Sequence, residues 1–284
     1  MSNLPVGTIH TMRVTERTNE GFLLTKGTMK ALVPLDEKVQ NSEIGTFIDV
    51  FLYTDKKKQL LATTTLPKVV VGVYDWAEVV DVIPHLGAFI DIGIGEDILI
   101  FSEDLPLFKS VWPKQGDKIY VTLKADSNNR LLAVPATERI FADLFGFAEE
   151  IELNESVSGH VIRVDREGTV MLTGENYRGF IHHTERTKEP RFGEYITGRV
   201  IEVKEDGTLN VSLLPLKHER MADDAEKILA VLQEADGEIA FNDKSDPAEI
   251  RHTFQMSKSA FKRALGRLMK ERKIEQRDGK TFLL

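Results

Sequence analysis

The run Tyr177-Arg178-Gly179-Phe180-Ile181-His182-His183-Thr184-Glu185 is the densest group of side chains able to do chemistry in this chain of 284 residues. A histidine pair invites a metal, but neighbours on an extended strand point to opposite faces, and no third or fourth ligand stands at metal spacing. The aromatic company suits another task. The rings of Tyr177, Phe180, His182 and Tyr195, with the planar guanidinium of Arg178 among them, can stack on bases of any identity, at about 1–3 kcal/mol per base. An ordinary surface histidine is the plainer reading of His182. Hydrolysis would need carboxylates gathered around metal ions, or a His pair working as acid and base. Asp91, Glu96 and Asp97 instead scatter through strands and turns, and no P-loop, serine elbow or metal motif is present. Gly93-Ile-Gly95 reads as a hairpin turn, with no helix after it to hold a phosphate. The expectation is a binding protein, not an enzyme, with no cofactor and no metal.

Strands must position these rings. Between residues 153 and 214, apolar residues alternate around Gly159 (Val157, Val161), in Gly168-Thr-Val-Met-Leu172, through Phe180 and Ile181, after Gly193, and in Thr208-Leu-Asn-Val-Ser-Leu213. Five runs of period two in about sixty residues predict a small five-stranded barrel. The unit is repeated. Shifting the chain by 71 positions lays Gly45, Ile48, Val50, Leu52, Asp55, Leu60, Leu61 and Ala62 on Gly116, Ile119, Val121, Leu123, Asp126, Leu131, Leu132 and Ala133. Gly193, Ile196 and Leu209 continue the pattern, so three barrels in series are expected over residues 1–66, 67–136 and 153–215. Residues 137–152 change to spacings of three and four (Glu138, Ile140, Phe141, Leu144, Phe145), which predicts a short amphipathic helix serving as a joint.

After Pro215 the period becomes helical. Met221, Ala225, Ile228, Leu229 and Leu232 share one face; Asp246-Pro247 opens a second helix; Ser257 to Glu271 forms a third, with Phe261, Ala264, Leu265 and Leu268 inward. Lys258, Lys262, Arg263, Arg267 and Lys270 stay on or beside its outer side. Asp278-Gly279 between two short runs is a hairpin signal. Three helices and a terminal hairpin make residues 218–284 a winged helix, whose third helix is the usual nucleic-acid element.

Charge distribution separates the modules. The chain carries −8 overall, yet residues 255–284 hold nine Lys/Arg against three acids, +6, leaving 28 − 42 = −14 for the rest. Phosphate neutralisation supplies most non-specific affinity for nucleic acid, so the tail is the expected phosphate holder, by DNA or RNA, with protein docking as the alternative. Repeat one is nearly neutral, with Lys56-Lys-Lys58 in its last turn, while repeat two has six bases against ten acids and reads as a spacer. Repeat three and the winged helix are therefore expected to carry most of the affinity, even as a fragment of residues 153–284. No apolar run approaches the ~20 residues of a membrane span, and the N-terminus shows no leader pattern. The absence of Cys fits a reducing cytoplasm.

The order of signals in residues 153–214 resembles the RNA-binding repeat of ribosomal small-subunit protein S-one, a variety of OB-fold. In that family a Gly, an apolar pair and a His followed by a hydroxyl and an acid end the third strand, which the resemblance carries onto Gly179 to Glu185. Pro34 stands at the His position in repeat one and Ile100 in repeat two. Phe89, in Gly87-Ala-Phe-Ile-Asp-Ile-Gly93, stands where the family presents a stacking ring, or lines the barrel core; alternation alone leaves both open. Repeat three has Glu167 and Val170 at its aromatic positions. Three such barrels followed by a winged helix resemble the conserved virulence factor B family. The resemblance implies a mainly β architecture with an α+β C-terminal domain, and an RNA-binding regulator of the cytoplasm that holds single strands and controls virulence genes post-transcriptionally. A ribosome- or polymerase-associated adaptor is the alternative.

Overall fold

The computed structural model describes residues 6–35, 43–55 and 59–284, with backbone alone for 217–223. Lys56 to Lys58 and the side chain of Met221 lie outside the described residues. The chain forms two compact units, Met1–Leu213 and Leu214–Leu284.

The first unit holds three closed five-stranded barrels. Barrel one comprises β1 (Ile9–Arg17), β2 (Gly21–Lys26), β3 (Met29–Pro34), β4 (Phe47–Thr54) and β5 (Leu60–Thr63). Barrel two comprises β6 (Asp75–Ile83), β7 (Gly87–Asp91), β8 (Ile98–Phe101), β9 (Lys118–Ala125) and β10 (Leu131–Pro135). After the one-turn helix α1 (Glu138–Ala142), barrel three comprises β11 (Ser156–Val164), β12 (Gly168–Thr173), β13 (Arg178–His182), β14 (Tyr195–Val203) and β15 (Leu209–Ser212). In each, the first three strands form a meander, the fifth pairs parallel to the third, and the fourth closes on the first.

The sequence repeat is a repeat of hydrogen bonds. Gly45, Gly116 and Gly193 enter the fourth strand of their barrels at φ +100°, +88° and +83°, where an L side chain would be strained. Their amides donate to the carbonyls of Val14, Val79 and Val161 at 2.7, 2.8 and 2.9 Å. Immediately after each of those valines the first strand bulges, which sharpens its twist and lets the sheet close. The offset of 71 is reproduced in the ladders: Thr54 pairs with Leu60 as Ala125 pairs with Leu131, and Asp55 and Asp126 accept the backbone amides that close the two turns, from Gln59 and Arg130.

Barrel two holds its neighbours by shared cores. Phe51 and Tyr53 of barrel one and Phe192 of barrel three join the buried cluster built on Ile90, Ile100 and Ile119. Asp117 receives two hydrogen bonds from Arg191, at 3.0 and 2.9 Å. The joint helix is shorter than its spacing predicts and ends at Ala142. Leu144 and Phe145 still pack beside the buried Phe141, so burial without helix explains the period. A cut at residue 153 would bare Phe192, Val170 and Leu172, so a fragment of residues 153–284 would lose the surface that barrel three shares with barrel two.

The second unit contains α2 (Lys217–Glu234), β16 (Glu238–Ile239), α3 (Pro247–Phe254), α4 (Lys258–Lys270), β17 (Ile274–Arg277) and β18 (Lys280–Leu283), with a sheet ordered β16-β18-β17. Asp246 caps α3 by accepting from the amides of Ala248 and Glu249, with Pro247 in the first turn, where its missing N–H costs nothing. Ser257 caps α4 through the Ala260 amide. Asp278 and Gly279 take φ of 52° and 82°, the two left-handed residues of a tight hairpin, and so form the wing. Ile228, Leu232, Phe254, Phe261, Leu265 and Leu268 fill the core.

Candidate nucleic-acid interface

The pairing of β2 with β3 and its counterparts fixes which side chains look outward. Gly21 faces Pro34, Gly87 faces Phe101, and Gly168 faces His182. At each glycine an added Cβ would lie within 2.4 Å of the facing strand's carbonyl oxygen, so only glycine permits this approach. Two residues further on, Leu23 faces Leu32, Phe89 faces Leu99, and Val170 faces Phe180. This register corrects one expectation. Phe101, not Ile100, occupies the position of His182 in barrel two, and Ile100 is buried in the core. Phe89 lies between the buried Ala88 and Ile90 and so points out of the barrel. Barrel two therefore presents Phe89 and Phe101, both half-buried, on its outer face.

In barrel three every residue of β12 is buried. Met171 faces the core, while Val170 and Leu172 are covered from outside by Phe141 of the joint and by Trp76 and Tyr120 of barrel two. Half of the face that an OB-fold uses for oligonucleotides is thus closed by the protein itself. What stays open lies along β13 and β15.

The predicted site residues separate accordingly. Arg178 donates through Nε and Nη2 to Glu138 Oε1, at 3.1 and 2.8 Å, and Arg163 pairs with the same carboxylate. That guanidinium anchors the joint. Tyr177 packs into the barrel core, its ring about 3.7 Å from where a Cβ on Gly146 would be. Tyr195 is exposed but lies apart, edge-on to His160, which also contacts Trp76. Burial lowers the His160 pKa from the ordinary histidine value.

Phe180 and His182 do come together, 6.4 Å between ring centroids. They line a cleft of about 290 Å³ with Thr184, Ile201, Lys204 and Asn210. The Nδ1 of His182 accepts the Thr184 amide at 3.4 Å and lies 2.8 Å from its hydroxyl, which leaves Nε2–H as an outward donor. Lys204 is exposed, and among the described residues it has no ion-pair partner. Lys204 and Asn210 escape a reading by local motif because they reach the cleft through the parallel pairing of Phe180 with Asn210. The turn Lys204-Glu-Asp-Gly207 before the last strand is the available clue. The two histidines also depart from expectation: β13 ends at His182 and His183 begins a 3-10 turn, so their rings approach to 4.0 Å instead of diverging. Among the described residues no group of three or more metal-ligating side chains forms.

In the winged helix the five predicted cations differ in freedom. Lys258 donates to the Lys244 carbonyl, Lys262 lies 4.0 Å from Asp243, and Arg267 pairs with Glu271 at 2.8 Å. Arg263 and Lys270 are exposed and have no ion-pair partner among the described residues.

Three barrels of oligonucleotide-binding topology and a winged helix with a basic third helix define a multidomain protein of nucleic-acid-binding folds. Family models agree region by region: an S1 domain over residues 6–65, the CvfB first S1-like domain over 74–134, the second domain of virulence regulatory factor CvfB over 141–215, and a CvfB-like winged helix domain over 226–283. The chain belongs to the conserved virulence factor B family. It is 38% identical to conserved virulence factor B of Staphylococcus epidermidis over 98% of this chain and 94% of that one, and 42% identical to the uncharacterized protein YitL of Bacillus subtilis over 96% and 91%. A crystal structure of a multidomain protein with nucleic acid binding domains from Streptococcus pneumoniae matches with a TM-score of 0.68 at 33% identity, covering 99% of both chains. Among the described residues no helix is long and apolar enough to cross a membrane.

Proposed function

We propose that this protein is a cytoplasmic RNA-binding regulator that holds single-stranded RNA on barrel three and on the basic face of α4, and that it acts in post-transcriptional control of gene expression, virulence genes included. The observation that carries the reading is the groove of Phe180, His182 and Lys204: an exposed histidine ring, the free edge of a half-buried phenylalanine that packs against the covered cluster, and a cation for the backbone, all lining one cleft. Phe89 and Phe101 supply barrel two with a secondary stacking surface. Arg178, held by Glu138, and Tyr177, packed against the core of barrel three, act on the groove only through the structure of the barrel. Nothing in this arrangement resembles the gathered carboxylates of a nuclease, and the reading is of binding without catalysis.

Only Leu213 to Leu216 separate β15 from α2, so RNA held by one module keeps the other at high effective concentration on the same strand. The cations of α4 then act through charge. Replacing Arg263 and Lys270 together by Gln is expected to weaken binding to all single-stranded RNA sequences alike and to flatten the salt dependence by about 1.4 in log–log slope, at about 0.7 per phosphate contact. Replacing Lys262 and Arg267 should do less, because Asp243 and Glu271 already offset them. Titrations over a range of salt, with thermal melts to show intact folding, check this. An unchanged slope in the Arg263 and Lys270 variant would remove α4 from the interface, leaving DNA or a protein as its partner.

A further inference from the structure

His182 lines the groove just described, and His183, whose ring touches it, lines a second and larger cleft. This cleft, about 760 Å³, lies where the Pro106–Val111 loop of barrel two meets the Asp165–Glu167 turn of barrel three. Its apolar wall includes Leu107 and Phe108, which are 89% and 62% exposed. These are large side chains to leave in water, and the loop that carries them is fixed at both ends. The Trp112 indole donates to the Pro106 carbonyl at 2.7 Å, and the Phe192 amide donates to the Val111 carbonyl at 2.9 Å.

The polar lining is nearly neutralised from within. Asp165 lies 3.0 Å from Arg163 Nε, and Glu189 lies 2.5 Å from Arg186, which also donates to the Ile181 carbonyl. Arg166 is left over: exposed, and without an ion-pair partner among the described residues. The cleft is therefore an apolar platform with one guanidinium at its edge that makes no ion pair among the described residues, in the size range of small-ligand sites, and it adjoins the groove through the touching rings of His182 and His183. A base needs an apolar face to stack on, and its phosphate needs a cation.

We propose that this cleft is a second nucleotide subsite, in which an unpaired nucleotide leaving the Phe180–His182 groove passes over His183, stacks its base on Phe108 and sets its phosphate against Arg166. The inference rests on the single-stranded RNA reading given above. A protein segment or a second copy of the chain could also favour Leu107 and Phe108, but neither accounts for the contact of His183 with the ring that lines the groove.

The test uses the full chain and fluorescently labelled oligouridylates of about four and about twelve nucleotides, within the range that one OB-fold covers. Phe108→Ala is expected to weaken binding of the longer strand by about five- to tenfold with an unchanged salt slope, and Arg166→Gln to flatten that slope by about 0.7. Both should leave the shorter strand's affinity as it is. Unchanged binding of the longer strand by both variants, while Phe180→Ala weakens it, would overturn the second subsite and leave the proposed function standing. Failure of the unaltered protein to bind either strand would overturn both. Loss of self-association in Phe108→Ala, by sizing chromatography, with RNA affinity unaltered would assign the loop to contacts between copies and overturn the proposal.

Discussion

Asp117→Ala is expected to destabilise the three-barrel unit by about 3 kcal/mol, the lower end of the roughly 3–5 kcal/mol that follows when one partner of a buried ion pair is removed. The carboxylate is 8% exposed and carries three hydrogen bonds: from Nε and Nη2 of Arg191, and from the Lys114 amide at 2.7 Å. Its loss leaves the Arg191 guanidinium, largely buried, with Glu194 alone at 3.0 Å, and leaves the Lys114 amide without its acceptor. Glu194 and some remaining solvent contact keep the cost from reaching the upper end. Arg191→Lys should cost less, since it keeps the charge and loses only the planar fork. A thermal melt read in near-ultraviolet dichroism, where Trp76 and Tyr120 report on the junction of barrels two and three, follows the transition. A melting temperature unchanged by Asp117→Ala would show that the barrels do not depend on this pair.

The second large effect is on binding. Replacing Phe180 and His182 together by Ala is expected to weaken single-stranded RNA binding by about 2–4 kcal/mol, from the roughly 1–3 kcal/mol that each stacked base contributes. The salt slope should hardly change, because stacking releases few counterions. Tyr177 belongs in a different experiment. Packed in the core of barrel three, Tyr177→Ala should lower the melting temperature and reach RNA affinity only through folding. Equal affinity losses from Tyr177→Ala and from the Phe180 and His182 pair, in proteins of equal stability, would place the groove elsewhere.

Most of the architecture was legible because barrels of this kind are built from local signals. Gly45, Gly116 and Gly193 mark the same left-handed turn, Asp55 and Asp126 close the same hairpin, and period-two runs mark the strands between. The winged helix was legible for a similar reason: Asp246-Pro247, Ser257 and Asp278-Gly279 are caps and turns whose chemistry is local. The candidate site was legible only in part. Phe180 and His182 lie in one short motif, and the structure brings them together. Arg178 lies in the same motif yet is spent on Glu138, forty positions away, and no spacing rule announces that pairing. The covered face of β12 was hidden for the same reason, since Val170 and Leu172 read as plain barrel residues until the joint and barrel two are seen against them. Ile100 shows how a shift of one residue misleads, because neighbours on a strand occupy opposite faces. Register, which the ladder from Gly87 to Phe101 fixes, decides which of the two looks outward.

The preference for single strands is the central claim, because stacking requires bases freed from a duplex and the groove offers rings on one side only. Titrating the full chain with a labelled RNA, and with the same RNA annealed to its complement at equal length and salt, tests it most directly. The account predicts tighter binding of the single strand, with the difference lost in the Phe180 and His182 double variant. Equal or tighter binding of the duplex would contradict it.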